Sequence, residues 1–170
     1  MQPVTTLTYT YDLAGNRLSM AGASILNTQY AYDGLNRPIR INAQNVVAKN
    51  LEYDALGRLT RVSGDTAQAY TYDAASQLLT LNSTVLSTPI EALTYAYDLA
   101  GNRSSLTDRL GLHTYGYDAL NRLRSADHPA TGPWPDEAFT YDPVGNRLTS
   151  HLSATHLHDS ANRLLEDVMT

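Results

Sequence analysis

The chain of 170 residues contains no cysteine, one lysine, one tryptophan and one phenylalanine. Without cysteine there is neither a disulfide framework nor a thiolate metal site, so redox logic leaves the compartment open. No run of about 18 apolar residues could span a bilayer, and no basic-then-apolar start resembles a signal peptide. Any export is therefore expected to be directed from outside this segment. Basic residues are few, 12 against 17 acidic ones for a net charge of −5, and 11 of them are scattered arginines. That balance argues against nucleic acid as a partner, because backbone affinity rests on clustered Lys and Arg. No nucleophile motif, phosphate-cradling glycine loop or dinucleotide fingerprint is present, and no catalytic residue, cofactor or metal is expected. With only 17% charged and 42% hydrophobic residues, the chain is too apolar to be a disordered tail. It should fold.

What the sequence has in abundance is repetition, and a search for internal period precedes any residue-level reading. Tyr9-Thr10-Tyr11-Asp12 recurs as Tyr30, Tyr32 and Asp33; Tyr70, Tyr72 and Asp73; Tyr95, Tyr97 and Asp98; and Tyr115, Tyr117 and Asp118. Three looser copies are Leu51, Tyr53 and Asp54; Phe139, Tyr141 and Asp142; and His156, His158 and Asp159. The eight anchoring aspartates lie 17 to 25 positions apart, and all 12 tyrosines and the phenylalanine fill these slots. Aromatic placement thus follows the repeat, which weighs against an aromatic-lined active site. After the aspartate comes a second element with Gly15 and Arg17, Gly101 and Arg103, or Gly145 and Arg147. A version shorter by one residue carries Arg37, Gly57 with Arg58, Arg122, or Arg163, and the copy Ala74-Ala75-Ser76-Gln77 has lost its Arg and its Gly or Asn.

The pattern predicts a β-hairpin in every repeat. Rings at i and i+2 share one face of a strand, and Tyr and Thr favour strands. Asp accepts backbone N–H groups where the chain reverses, and Gly or Asn tolerates positive φ there. Some Asp–Arg pairs are expected across hairpin ends, such as Asp12 with Arg17, each contributing about 0 to 1 kcal/mol where exposed. Return strands are expected at 18–21, 59–62, 78–81 and 123–126, although their alternation is too irregular to assign a face. Helix is limited to short turns near 161–168. His128 to Pro135 holds three prolines and a glycine, which marks an exposed loop.

These motifs, spread from Leu7 to about Val168, resemble the YD repeats of the RHS family, whose hallmark is Tyr-Asp followed by x-x-Gly-Asn-Arg-Leu or Gly-Arg-Leu. The family includes bacterial polymorphic toxins, the C components of insecticidal toxin complexes, and teneurins. The resemblance implies an all-β fold of about eight tandem hairpins of roughly 21 residues, one repeat array over 1–170, forming a curved or spiralling single-layer sheet of a hollow shell. It implies a non-catalytic wall that in full-length relatives encloses a C-terminal toxin or effector domain, within a larger secreted or cell-surface bacterial protein. No copy of the family's closing core motif is found, so its autoprotease site cannot be assigned. The chain stops soon after the eighth turn, which reads as a fragment or degraded gene end more than a finished shell. Roughly 16 strands at about 4.8 Å make a strip of about 75 Å, and a ring of only about 24 Å across. Enclosure would then need more repeats of the same shell, or self-association through open strand edges. Lacking a second layer, the tyrosines of successive repeats are expected to stack into ladders that replace a core.

Other readings are weaker. His151, His156 and His158 beside Asp159 have the chemistry of a metal site, yet two of them fill tyrosine slots of a diverged repeat. Eight equivalent aspartates lack the two distinct environments of an acid–base pair. Trp134 either folds back over a strand edge or contacts a partner protein or a carbohydrate, and the latter would make the array a binding or adhesion module.

Overall fold

The computed structural model describes residues 6–22 and 25–169. The chain divides into two compact units, 1–91 and 92–170. The first contains β1 (Leu7–Tyr11), β2 (Arg17–Gly22), β3 (Ile25–Tyr32), β4 (Pro38–Ala43), β5 (Lys49–Tyr53), β6 (Leu59–Ser63), β7 (Thr66–Tyr72) and β8 (Leu78–Val85). These eight strands are hydrogen-bonded side by side in sequence order, each antiparallel to the next. Beyond it β9 (Thr88–Tyr97) leads into the second unit, where β10 (Arg103–Asp108), β11 (Gly111–Tyr117), β12 (Leu123–Asp127) and β13 (Glu137–Ala138) follow in the same manner. Two further hairpins pair β14 (Thr140–Tyr141) with β15 (Arg147–Thr149) and β16 (Ser153–His158) with β17 (Leu164–Met169). Only Phe139 separates β13 from β14, and its N–H still donates to the Arg124 carbonyl at 2.8 Å. Counted as one interrupted strand, the two bring the total among the described residues to two strands per repeat.

The architecture is all-β, as the repeat requires. Where the sequence allowed short helical turns near 161–168, the chain instead forms β17, because the eighth turn closes like the other seven and its return strand pairs with His156 to His158. The loop from His128 to Pro135 is irregular, as its prolines dictate.

Each of the eight hairpins that turn at a repeat aspartate carries a bulge in the same place. The residue before the aspartate pairs with the fifth residue after it, as in Tyr11 with Arg17, Tyr53 with Leu59 and Tyr117 with Leu123. One step back along the strand, however, Thr10 pairs with Ser19 and Glu52 with Arg61, so the sixth residue is skipped. Such an extra residue bends its strand and increases local twist. It also fixes the faces. The first aromatic slot faces an apolar residue eight beyond the aspartate: Tyr9 with Met20, Tyr30 with Ile41, Leu51 with Val62, Tyr70 with Leu81, and Tyr95 with Leu106. The opposite face bears hydroxyl pairs, Thr10 to Ser19 at 2.6 Å and Thr71 to Thr80 and Thr140 to Thr149 at 2.7 Å.

No ordinary core results. Ala126 alone among the described apolar residues is buried, while the aromatic-slot tyrosines from Tyr30 onward are half-buried. Cohesion must come from contacts between neighbouring repeats.

Candidate functional site

The repeated turn is the most organised polar feature of the molecule. In all eight copies the aspartate N–H donates to the carbonyl four residues on at 2.9–3.0 Å. The third residue after the aspartate has positive φ, from 60° at Asn36 and Asn121 to 99° at Gly145. Ser76, in the copy that lost both Gly and Asn, still adopts φ 65°. In the turns of Asp12, Asp33, Asp54, Asp98, Asp118, Asp142 and Asp159 one carboxylate oxygen accepts two backbone N–H groups, as Asp54 Oδ1 does from Leu56 and Arg58, both at 2.9 Å.

The long and short versions therefore make turns of the same length. They differ in what stands at the fourth position. Where it is Asn16, Asn102 or Asn146, the amide takes the second oxygen of Asp12, Asp98 or Asp142 at 2.8–2.9 Å. Where it is Arg37, Arg58, Arg122 or Arg163, the guanidinium takes the second oxygen of Asp33, Asp54, Asp118 or Asp159 at 2.6–2.7 Å. The expected Asp12–Arg17 pair does not form, because Asn16 occupies that oxygen and Arg17 is one residue too far along the bulged strand. Its guanidinium instead lies 4.6 Å from the Tyr30 ring centre and donates to the Tyr30 hydroxyl at 3.0 Å.

Three sets of contacts join one repeat to the next within each unit. The second tyrosine donates its hydroxyl to the carbonyl five residues past the previous aspartate: Tyr32 to Arg17, Tyr53 to Pro38, Tyr72 to Leu59, Tyr117 to Arg103 and Tyr141 to Leu123, at 2.8–3.0 Å. Arginines cover rings of the following repeat at 4.6–4.9 Å: Arg17 over Tyr30, Arg37 over Tyr53, Arg58 over Tyr72, Arg103 over Tyr115 and Arg122 over Tyr141. Arg17 and Arg103 also reach back toward Tyr9 and Tyr95, and Arg147 toward Phe139, at 5.7–5.9 Å. Finally, turns are stitched directly, Asn16 to Asn36 and Asn102 to Asn121 at 2.8 Å, and Arg58 to the Asp73 carbonyl at 2.8 Å. The expected ladder is thus built differently. Among the described residues no close ring pair joins two tyrosines; guanidinium planes intervene, since a cation over an aromatic face is favoured by the ring quadrupole.

This bonding also sets the charge state of the anchors. The Arg37, Arg58, Arg122 and Arg163 backbone N–H groups, with their guanidinium groups, hold the carboxyls of Asp33, Asp54, Asp118 and Asp159 below the usual range. The Asn16 and Asn102 amides do the same for Asp12 and Asp98. At Asp142 desolvation opposes the shift, but the Asn146 bonds outweigh it. Seven anchors, four held by a guanidinium and three by an amide, are all shifted in the same direction, which suits holding turns and not the opposed environments of an acid–base pair.

Away from the repeat, the sequence singled out Trp134 and the late histidines. Trp134 is 51% exposed and borders a groove of about 290 Å³ with Leu106, Asp108, His113, Tyr115, His128 and Glu137. It lies beside the two imidazoles, with ring centres 6.1 and 6.3 Å away. His113 and His128 escaped the sequence reading. The available signal was that His113, Tyr115 and Tyr117 alternate on one strand and so share the aromatic face. His156 and His158 occupy the two aromatic slots of the eighth repeat, in register with Asp167 and Leu164, and His151 meets Phe139 edge-on at 6.2 Å. Among the described residues no group of three or more His, Asp or Glu side chains is disposed to hold a metal ion.

The teneurin YD-shell family model matches residues 1–127. The chain belongs to the YD-shell family. Solved structures with the same fold include the crystal structure of TcdB2-TccC3 without its hypervariable C-terminal region, with TM-score 0.77 and 21% identity over 97% of this chain. The TcdB2-TccC3-Cdc42 crystal structure gives 0.74 and 20% over 97%, and the Photorhabdus luminescens Tc holotoxin pore 0.70 and 21% over 94%. The YD-shell chain spans about a tenth of the length of each. No curated protein matches it.

Proposed function

We propose that this YD-shell array is a non-catalytic wall segment of a larger extracellular shell whose complete polypeptide encloses a toxin or effector domain. The observation that carries the reading is the uniform, repeat-to-repeat bonding, which spends the tyrosines, arginines and aspartates on cohesion and leaves no differentiated pair for chemistry. The match of the array to about a tenth of much longer solved chains supports a wall that continues through further repeats.

Exposed apolar side chains indicate where neighbours would attach. Turn tips carry Leu13, Leu35 and Leu56 in the first unit and Leu99, Leu120 and Val144 in the second, all at least 66% exposed. Exposed apolar side chains repeated at these tips favour association, and we assign them, with the open strand edges, to contacts with other repeats of the same shell. In the full native polypeptide, limited proteolysis should leave an enclosed domain intact while cutting it once the wall is shortened by two repeats. Equal cleavage in both would refute enclosure.

A second reading, that of a binding or adhesion module, draws on the half-exposed Trp134 ring at its groove, whose flat face suits a sugar. Glycan-array binding abolished by Trp134→Ala would favour it, and silence on a broad array would remove it.

A further inference from the structure

The Pro-rich loop is fastened to the sheet by a row of four ionisable side chains that the repeat does not use. After β12 the chain leaves at His128, whose N–H donates to Asp136 Oδ1 at 2.7 Å and so closes the loop on itself. Thr131 Oγ1 donates to the Leu110 carbonyl at 3.1 Å, and Pro129 stands over Gly111. The central contact is between imidazoles: His113 Nδ1 on β11 and His128 Nδ1 on the loop are 2.8 Å apart. The two side chains are only 4% and 10% exposed. Each turns its other nitrogen toward a carboxylate, His113 Nε2 to Asp108 Oδ1 at 3.3 Å and His128 Nε2 to Glu137 Oε1 at 3.5 Å. The first of these has ion-pair distance without the direction of a formed hydrogen bond.

Proton counting limits the states of this row. A contact between two Nδ1 atoms at this distance needs one proton between two lone pairs, so one ring donates and the other accepts. The accepting ring, if neutral, carries its proton on Nε2 and offers it to its carboxylate. The donating ring, if neutral, would set a bare lone pair against the other carboxylate. One more proton there converts repulsion into attraction, so three protons on four ring nitrogens satisfy the whole row. A fourth proton would point two N–H groups at each other across 2.8 Å and place two positive rings in contact. That state cannot keep the loop closed.

We propose that His113 and His128 form a proton-operated latch, which holds the Trp134 loop over its groove with three ring protons and releases it when acidification supplies the fourth. The groups facing the pair are Asp108 on β10, Tyr115 on β11, Asp136 on the loop and Glu137 on β13. Desolvation works against the Asp108 carboxylate, but hydrogen bonds from the Leu110 and Gly111 N–H groups and the nearby His113 ring outweigh it and keep its carboxyl below the usual range. It therefore stays charged on mild acidification, and the protonation states of the row belong to the pair and not to either ring. The inference is independent of the shell reading, since a solitary array would latch in the same way.

Trp134 is the single tryptophan, so its fluorescence reports the loop alone. Between pH 8 and pH 5 the full chain should show red-shifted emission and at least a twofold rise in acrylamide quenching, with the far-ultraviolet circular dichroism of the strands unchanged. In His128→Gln, quenching should be high and flat across that range. In parallel, ¹⁵N spectra of the wild-type imidazoles should show one Nδ1-protonated ring sharing its proton at pH 8. Unaltered quenching in the wild type, the same transition in His128→Gln, or two Nε2-protonated tautomers at pH 8 would each overturn the latch.

Discussion

Replacing the second-slot tyrosines by phenylalanine, one repeat at a time, removes a single hydroxyl from each junction and leaves the ring in place, under Arg37 at Tyr53 and under Arg58 at Tyr72. Tyr32, Tyr53 and Tyr72 donate to carbonyls of the preceding repeat at 3.0, 2.8 and 2.8 Å, and none of the three is more than half exposed. A net intramolecular hydrogen bond contributes about 0.5–1.5 kcal/mol, so each substitution should cost about 1 kcal/mol. In a repeat array each junction is a nearest-neighbour contribution, and the triple variant should lose about 3 kcal/mol. With a urea slope on the order of 2 kcal/mol/M, the unfolding midpoint falls by about 0.5 M per hydroxyl at constant slope. Tyr11 is the internal control, because it is 59% exposed and its hydroxyl makes no hydrogen bond among the described residues. Tyr11→Phe should leave the midpoint within about 0.1 M. The reasoning is refuted if Tyr11→Phe costs as much as Tyr53→Phe, or if the triple variant unfolds within about 0.3 M of the wild type.

Two other perturbations bear on the turns. Gly57→Ala should destabilise by about 1 kcal/mol in a urea titration, because the backbone there has φ 79° while the new methyl meets only Arg37 Nη1 at 3.4 Å; a neutral result would show that the turn relaxes freely. Seven turn carboxyls have folded values below the usual 3.8, so their contribution is fully present above the unfolded value and is lost as pH falls through the folded ones. The urea midpoint should therefore hold down to about pH 5 and collapse below about pH 4, and a steep fall already between pH 7 and 6 would mean that other groups control stability.

The sequence by itself determined the period, the hairpins and the turns. Tyr-x-Tyr-Asp followed by a residue tolerant of positive φ is a local instruction, and local sterics decide it without reference to the rest of the chain. Even the degenerate copy at Ser76 obeyed, because Asp73 still supplies the acceptor for the Gln77 N–H at 2.8 Å. The outline of the Trp134 loop was legible for the same reason, since proline cannot pair. What only the tertiary structure decided was direction. The skipped residue six beyond each aspartate shifts the return strand by one, so the positions facing the tyrosines stand three apart, at the fifth and eighth places, and a search for alternation could not find the face. One residue of spacing separates Arg17, fifth after its aspartate and turned over Tyr30, from Arg37, fourth after its own and paired with Asp33, although both follow an asparagine in the sequence. The His113–His128 contact spans 15 residues across a loop, and no spacing rule foretells which side chains such a loop will bring down onto the sheet. Turns are set by a few adjacent dihedral angles, whereas the partners of a side chain depend on register, and register is a property of paired strands.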